Sequence, residues 1–275
     1  MSRPIVLLSD FGARDASVGQ MRAVIAGIAP SASTIDLTHE IEPFAVDEGA
    51  WTLDIALSVL PSNAVVLAVV DPGVGGIRRP IAIQSGGRSF IGPDNGLLSA
   101  AFDQAHRIAA LPGRPAQVRL SGGAPDVREL TNPQFQRAHV SPTFHGRDIF
   151  SPAAAYLAAG LDFRHLGVPR HDAWVYPPFA GDPGPLGELR AAVIHVDRFG
   201  NLITTIRAAE IFPLFTLEIG GETVDQRVRT FSEAPNGAPF CYADSSGYLG
   251  VAVDQGSAAE RLGASRGTPV TLRSR

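Results

Sequence analysis

Asp10 and Asp71 each stand at the end of a short apolar run, the first closing at Ser9 and the second spanning Ala64 to Val70. If both runs are parallel strands, both carboxylates lie at the carboxyl edge of one sheet, where open α/β sheets bind their ligands. An aspartate after a strand also caps turns, and Asp71-Pro72-Gly73 is good turn chemistry, so position alone leaves both roles open. The next residues, Gly73-Val74-Gly75-Gly76, lead to Arg78-Arg79 and a strand, whereas a phosphate loop must open a helix. A second segment, Pro142 to Asp148, sets His145 beside Gly146, Arg147 and Asp148, just ahead of a helix start, and loops so placed often carry function. The plainer reading of one such histidine is a partly buried side chain held by a carboxylate. The other six histidines lack metal-ligand spacing and no HExxH occurs, so no metal site is expected. Farther on, Asp197, Phe199 and Asn201 interrupt two strand-like runs, where Asp197 can simply begin an Asx turn. Ser245-Ser246-Gly247 reads as a turn before a strand.

The elements that must position these residues alternate. After the run Ile5–Leu8, the apolar residues of Val18 to Ala29 recur at helical spacing up to Pro30, Thr34–Leu37 reads as a strand, and Asp47–Leu60 as a helix closed by Pro61. Such alternation predicts a mainly parallel sheet with helices on its faces, in an α/β domain over residues 1–175. Ile81–Gln84 and Ser89–Ile91 read as a hairpin appended to that sheet, and Ser151-Pro152 as the N-cap and first turn of an alanine-rich helix. Residues 176–187, YPPFAGDPGPLG, form the densest proline and glycine stretch and read as a linker. Beyond it, over residues 188–275, short strand-like runs bounded by turn residues predict a small all-β domain, an antiparallel barrel or sandwich.

Composition narrows the chemistry. The chain has 275 residues, 45% hydrophobic and 18% charged, enough apolar material for a packed core. All 23 basic residues are arginine. Without lysine there is no Schiff base, no P-loop lysine and no kinase-type strand lysine. A net charge of −4, with arginines scattered rather than clustered, argues against nucleic acid as a partner. Cys241 stands alone, which forbids an internal disulfide and fits a reducing cytoplasm. No apolar run is long enough for a signal h-region or a membrane span, so neither membrane nor export is expected.

Taken in order, SDFG at 9–12, Thr38-His39-Glu40-Ile41 with Pro43-Phe44, DPGVGG at 71–76 with Arg78-Arg79-Pro80, GPDNG at 92–96, TFHGRDIF at 143–150, FGN at 199–201 and SSGYLGVAV at 245–253 strongly resemble the S-adenosyl-L-methionine hydroxide adenosyltransferases, relatives of the fluorinases and chlorinases. The resemblance implies attack of water on the 5′ carbon of S-adenosylmethionine, releasing adenosine and methionine, with Asp71, Arg78 and His145 as the catalytic residues. It implies no cofactor, the sulfonium being the substrate. It sets Asp10 against the ribose hydroxyls and Phe44 against the sugar face, with Asp15, Ser17 and Gly146 nearby. In the second domain it gives Asp197 the methionine ammonium, Ser245 and Ser246 its carboxylate, Asn201 with the backbone of Val253 to Gln255 the adenine edge, and Phe199 or Phe231 the base face. It further implies a homotrimer with sites at subunit interfaces.

Residue identities select the branch. The halogenating relatives carry tyrosine where Asp71 and His145 stand and a halide-binding serine where Gly146 stands. Two positions depart from the hydroxide pattern or its relatives: Ser17 is the halogenase-like residue, and Ser246 replaces an arginine of the fluorinase. The alternatives are a non-catalytic sensor of adenosine or S-adenosylmethionine and a halide-using adenosyl transferase. A nicotinamide dehydrogenase lacks its GxGxxG in SDFGARDASVG, and a methyltransferase would move methyl instead of adenosyl.

Overall fold

Strands β1 (Ile5–Ser9), β2 (Thr34–Thr38) and β3 (Val65–Val69) lie parallel with β1 in the middle, in a computed structural model that describes residues 2–107, 114–211 and 214–274. Every residue of β1 and β3 is buried, as their unbroken apolar sequence requires of strands covered on both faces. Helix α1 (Ser17–Ile28) connects β1 to β2, and α2 (Val46–Ala56) connects β2 to β3. Both crossovers leave the loops after β1 and β3, with Asp10 and Asp71, at one edge of the sheet.

The pair β4 (Pro80–Ser85) and β5 (Arg88–Pro93) is not appended to the sheet but built into it. β5 pairs parallel with β3 and antiparallel with β4, giving the order β2-β1-β3-β5-β4. After α3 (Gln104–Arg107), β6 (Ala116–Arg119), β7 (Asp126–Glu129), β8 (Val168–Arg170) and β9 (Asp172–Val175) follow. β7 and β8 extend the sheet antiparallel beyond β4, while β6 pairs with β9 separately. The sheet is thus parallel on one side and antiparallel on the other.

Helix α4 (Ser151–Ala158) packs on α1 and the sheet through Ala153, Ala154 and Ala155, all buried, whose small side chains permit close approach. Ser151 does not cap it. A π-helical turn, Gly146–Phe150, runs directly into α4, and the Ser151 hydroxyl donates back to the Gly146 carbonyl at 2.7 Å. The sequence shows the helix-friendly residues but not the wider turn that continues them upstream.

The chain divides into two compact units, Met1–Pro178 and Phe179–Arg275. The second contains β10 (Asp182–Pro183), β11 (Leu189–Val196), β12 (Leu202–Arg207), β13 (Phe215–Ile219), β14 (Glu222–Val224), β15 (Pro239–Ala243), β16 (Tyr248–Val253), α5 (Ala258–Leu262) and β17 (Pro269–Ser274). Its antiparallel sheet runs β14-β13-β17-β11-β12-β16-β15, and a bridge between Arg227 and Cys241 draws the chain after β14 toward β15, nearly closing a barrel. Inside lie Leu202, Leu217, Leu249, Val251 and Leu272. Within the Pro/Gly-rich stretch, β10 pairs with β11.

Candidate active site

Asp71 follows β3, and the turn Asp71 to Arg78 is short enough to fold Arg78 back onto it. Arg78 Nε donates to Asp71 Oδ1 at 2.8 Å, and Nη2 donates to Oδ2. This fork geometry is what a planar guanidinium offers a carboxylate. Nη2 also approaches His145 Nδ1 at 2.8 Å. Because a guanidinium only donates, Nδ1 must accept, and the remaining ring proton of neutral His145 resides on Nε2. The histidine is held by a guanidinium rather than by a carboxylate.

The charges are enclosed. The side chains of Arg78 and Asp71 are 9% and 6% exposed, and the guanidinium lies over the Phe150 ring at 5.3 Å. Arg78 Nη1 is buried with no hydrogen-bond partner among the described residues. An unsatisfied donor of this kind is costly unless an oxygen atom is brought to it. Burial first, and then the Arg78 cation, hold the His145 imidazole below its ordinary value, against the opposing influence of Asp71 and Asp148. His145 is therefore neutral at pH 7.

Two loops converge here because glycine lets them. Gly75 has φ +75° and packs its Cα against the Pro142 carbonyl, bringing the turn after β3 to the loop that carries His145. That loop is tied by Asp148, which is fully buried. Its carboxylate accepts from Arg147 Nε at 2.7 Å and Nη2 at 2.8 Å, from Arg137 Nη1 at 3.2 Å and from the Ser141 amide at 2.9 Å. Gly146 opens the π turn where Phe11, Met21 and Phe144 leave little room, each 3.4 Å from where a Cβ would stand.

Asp10 lies near this cluster. Its Oδ2 accepts the Phe44 amide at 3.0 Å, which fixes Phe44 at φ +70° with its ring largely exposed. Burial pushes the Asp10 carboxyl above the usual carboxylate range, the Phe44 amide offsets part of the rise, and the charge of Asp71 adds to it. Asp15 is exposed just ahead of α1, and Ser17 is the first residue of that helix.

In the second unit the candidate residues fall into groups. Asp197 Oδ1 accepts the Phe199 and Asn201 amides at 2.8 and 2.9 Å, and Oδ2 accepts Asn201 Nδ2 at 2.8 Å, so Asp197 shapes the β11–β12 turn and exposes Phe199 at its tip. Antiparallel register sets Leu202 opposite Val251, which brings this turn to the end of β16 where Val253 and Gln255 lie. Gln255 has φ +52°. Ser245 and Ser246 occupy the turn at the other end of β16, beside Arg207, with Asp244 accepting the Ser246 amide at 2.9 Å. Phe231 packs edge-on against Phe240 and Tyr242. Among the described residues, no group of three or more His, Cys, Asp or Glu side chains is arranged to hold a metal ion, and no helix is long and apolar enough to cross a membrane.

Sequence reasoning saw Asp148 only as a loop charge beside His145, without its partner Arg137 upstream, and treated His39 only as part of a motif. Nothing in the local pattern marks Asp148 as buried, whereas Asp36 and His39, three residues apart at a strand end, offer a weak sign of a polar pair.

The geometry can be set beside known proteins. Residues 5–167 match the SAM hydroxide adenosyltransferase N-terminal domain, and residues 191–271 match the C-terminal domain of the same family. The chain is 44% identical to the (R)-S-adenosyl-L-methionine hydrolase of Thermus thermophilus, covering 98% of this chain and 99% of the relative. It is 39% identical to the enzyme of the same name from Salinispora arenicola, over 96% and 95% of the two chains. The crystal structure of an uncharacterized conserved protein from Thermotoga maritima superposes with a TM-score of 0.82 at 30% identity, over 98% of this chain and all of that one. With both units matched and full-length relatives this similar, the chain belongs to the SAM hydroxide adenosyltransferase family.

Proposed function

We propose that this protein hydrolyses S-adenosyl-L-methionine to adenosine and L-methionine by attack of water on the ribose C5′. The observation that carries the reading is the Arg78 bridge between Asp71 and His145, with its buried Nη1 unpartnered. Sulfonium is already a good leaving group, so methionine needs no proton to depart. Water is the difficulty, with a pKa of about 15.7 in bulk.

Arg78 Nη1 holds the attacking oxygen and stabilises the negative charge that develops on it. His145, accepting from Arg78 Nη2 through Nδ1, holds the guanidinium in place, so that one lone pair of the water is held by Arg78 and the other stays free for C5′. Asp71, already accepting from Arg78, is the acceptor on hand for the proton as the C–O bond forms. Enclosure strengthens each contact, and the opposite charges of nucleophile and sulfonium cancel as they meet. Asp10 and Phe44 hold the ribose, and the second-unit residues hold base and tail. No cofactor takes part, since the sulfonium compound is the substrate.

The reading includes a homotrimer, each pocket joining the first unit of one subunit to the second unit of its neighbour, and residence in the cytoplasm. Mixing Asp71→Asn with Asn201→Ala protein should then restore activity on reassembly, and a fully active monomer would refute the trimer. The principal test is product analysis: purified protein with S-adenosylmethionine should yield adenosine and methionine. Unchanged substrate bound without turnover would point instead to a sensor.

A further inference from the structure

We propose that Ser9, His39 and Asp36 form a directed hydrogen-bond chain that positions Asp10 for the ribose, making His39 a positioning residue of the site; this rests on the hydrolase reading above. Ser9 Oγ lies 2.7 Å from His39 Nδ1, and His39 Nε2 lies 3.1 Å from Asp36 Oδ1. The Phe11 amide donates to Ser9 Oγ at 3.3 Å. With a neutral imidazole one arrangement satisfies every partner: His39 donates through Nε2 to Asp36, Nδ1 accepts the Ser9 hydroxyl proton, and the Ser9 oxygen accepts Phe11 N–H. Arg22, from α1, donates to the other Asp36 oxygen and anchors the far end.

The chain ends on the backbone just after Asp10. His39 grips that backbone twice, since its carbonyl also accepts the Gly12 amide at 2.7 Å. Asp10 is thereby held between Ser9 and Phe11 while its carboxylate fixes Phe44. A serine, a histidine and an aspartate in sequence suggest a nucleophile, but Ser9 is fully buried and its hydroxyl is spent on the chain. Its role is alignment of a neighbour.

The test compares His39→Ala, His39→Asn, Ser9→Ala and Asp10→Asn, with the double variant Asp10→Asn/His39→Ala, in steady-state hydrolysis, adenosine calorimetry and thermal melts. We expect His39→Ala to raise KM and the adenosine Kd about tenfold while kcat changes less than about threefold, the size of one lost hydrogen bond at a binding group. His39→Asn should recover most of this, since its amide oxygen replaces Nδ1 as acceptor for Ser9. On the Asp10→Asn background, His39→Ala should add nothing. If His39→Ala does not fold, Ser9→Ala is read in the same assays with the same expected shift. Wild-type hydrolysis together with unchanged adenosine binding in folded His39→Ala, or losses that add to those of Asp10→Asn, would overturn the positioning role alone. Absence of hydrolysis and of adenosine binding in the wild-type protein would overturn the hydrolase reading and this inference with it.

Discussion

Gly75 and Pro142 meet so closely that a Cβ on the glycine would stand 2.3 Å from the proline carbonyl oxygen. One loop carries Asp71 and Arg78 and the other carries His145, so this contact sets the spacing of all three. Gly75→Ala adds a clash to a backbone at φ +75°. We expect a stability loss of about 2–4 kcal/mol in chemical denaturation and at least a tenfold fall in kcat at a temperature where the variant is folded. A wild-type kcat would show that the two loops are set independently.

Substitution within the cluster should strike turnover rather than binding. Asp71→Asn and His145→Ala should each lower kcat by roughly 10²-fold while adenosine Kd moves little. Arg78→Lys should be as damaging, because one ammonium cannot fork onto Asp71 and reach His145 together. Near wild-type rates in Asp71→Asn and His145→Ala would remove them from the chemistry.

Acidification should silence the enzyme through His145. Its neutral form is the one that accepts from Arg78, and its pKa is lowered in the folded chain. kcat/KM should therefore be flat through neutrality and fall only below the ordinary histidine value of about 6.5. Between that value and the lowered one the unfolded chain binds the proton and the folded chain does not, so stability declines over the same window. A pH–rate profile that falls already above 6.5 would contradict this assignment, and Asp10→Asn should leave the midpoint in place.

Asp148 should behave as an anchor. Its carboxyl is held below the usual range, where burial acts to raise it but Arg147, the Ser141 amide and Arg137 more than compensate. That stabilisation is present above the unfolded value of about 3.9 and is lost as pH falls through the lowered one. Asp148→Asn should cost about 2–4 kcal/mol in denaturant titrations at pH 7, leaving two arginines without their shared partner. An unchanged midpoint would mean that the arginines find water just as well.

Water should defeat halide. Asp71 places a negative charge beside the nucleophile and Gly146 offers no hydroxyl to an anion, so concentrated fluoride or chloride should still give adenosine, with little 5′-halo product. In labelled water the heavy oxygen should appear at the 5′ position. Mainly halogenated nucleoside would place the chain on the other branch of its superfamily.

The apolar runs announced β1 and β3 because buried parallel strands need continuous hydrophobic sequence, and the aspartates after them were visible for the same reason. β7 and β8 were not, since Asp126–Glu129 and Val168–Arg170 are short, charged and extend the outer side of the sheet, where pairing rather than pattern decides. β15 carries little period-2 signal, because its adjacent Phe240 and Cys241 are both buried. His145 was legible as a candidate from its loop, but its partner was not. No local rule links it to a guanidinium 67 residues earlier.

That separation has an entropic meaning. Asp71 and Arg78 are 7 residues apart and close their contact within a single turn, whereas His145 must span 67. By loop-closure scaling the longer closure costs about 2 kcal/mol more entropy. On that scaling the contact within Asp71–Arg78 is the less costly to close and the contact to the His145 imidazole the more costly. The Asp71–Arg78 pair thus depends on one turn, while the third member of the cluster depends on the whole fold that carries Phe144 to Phe150 back to that turn.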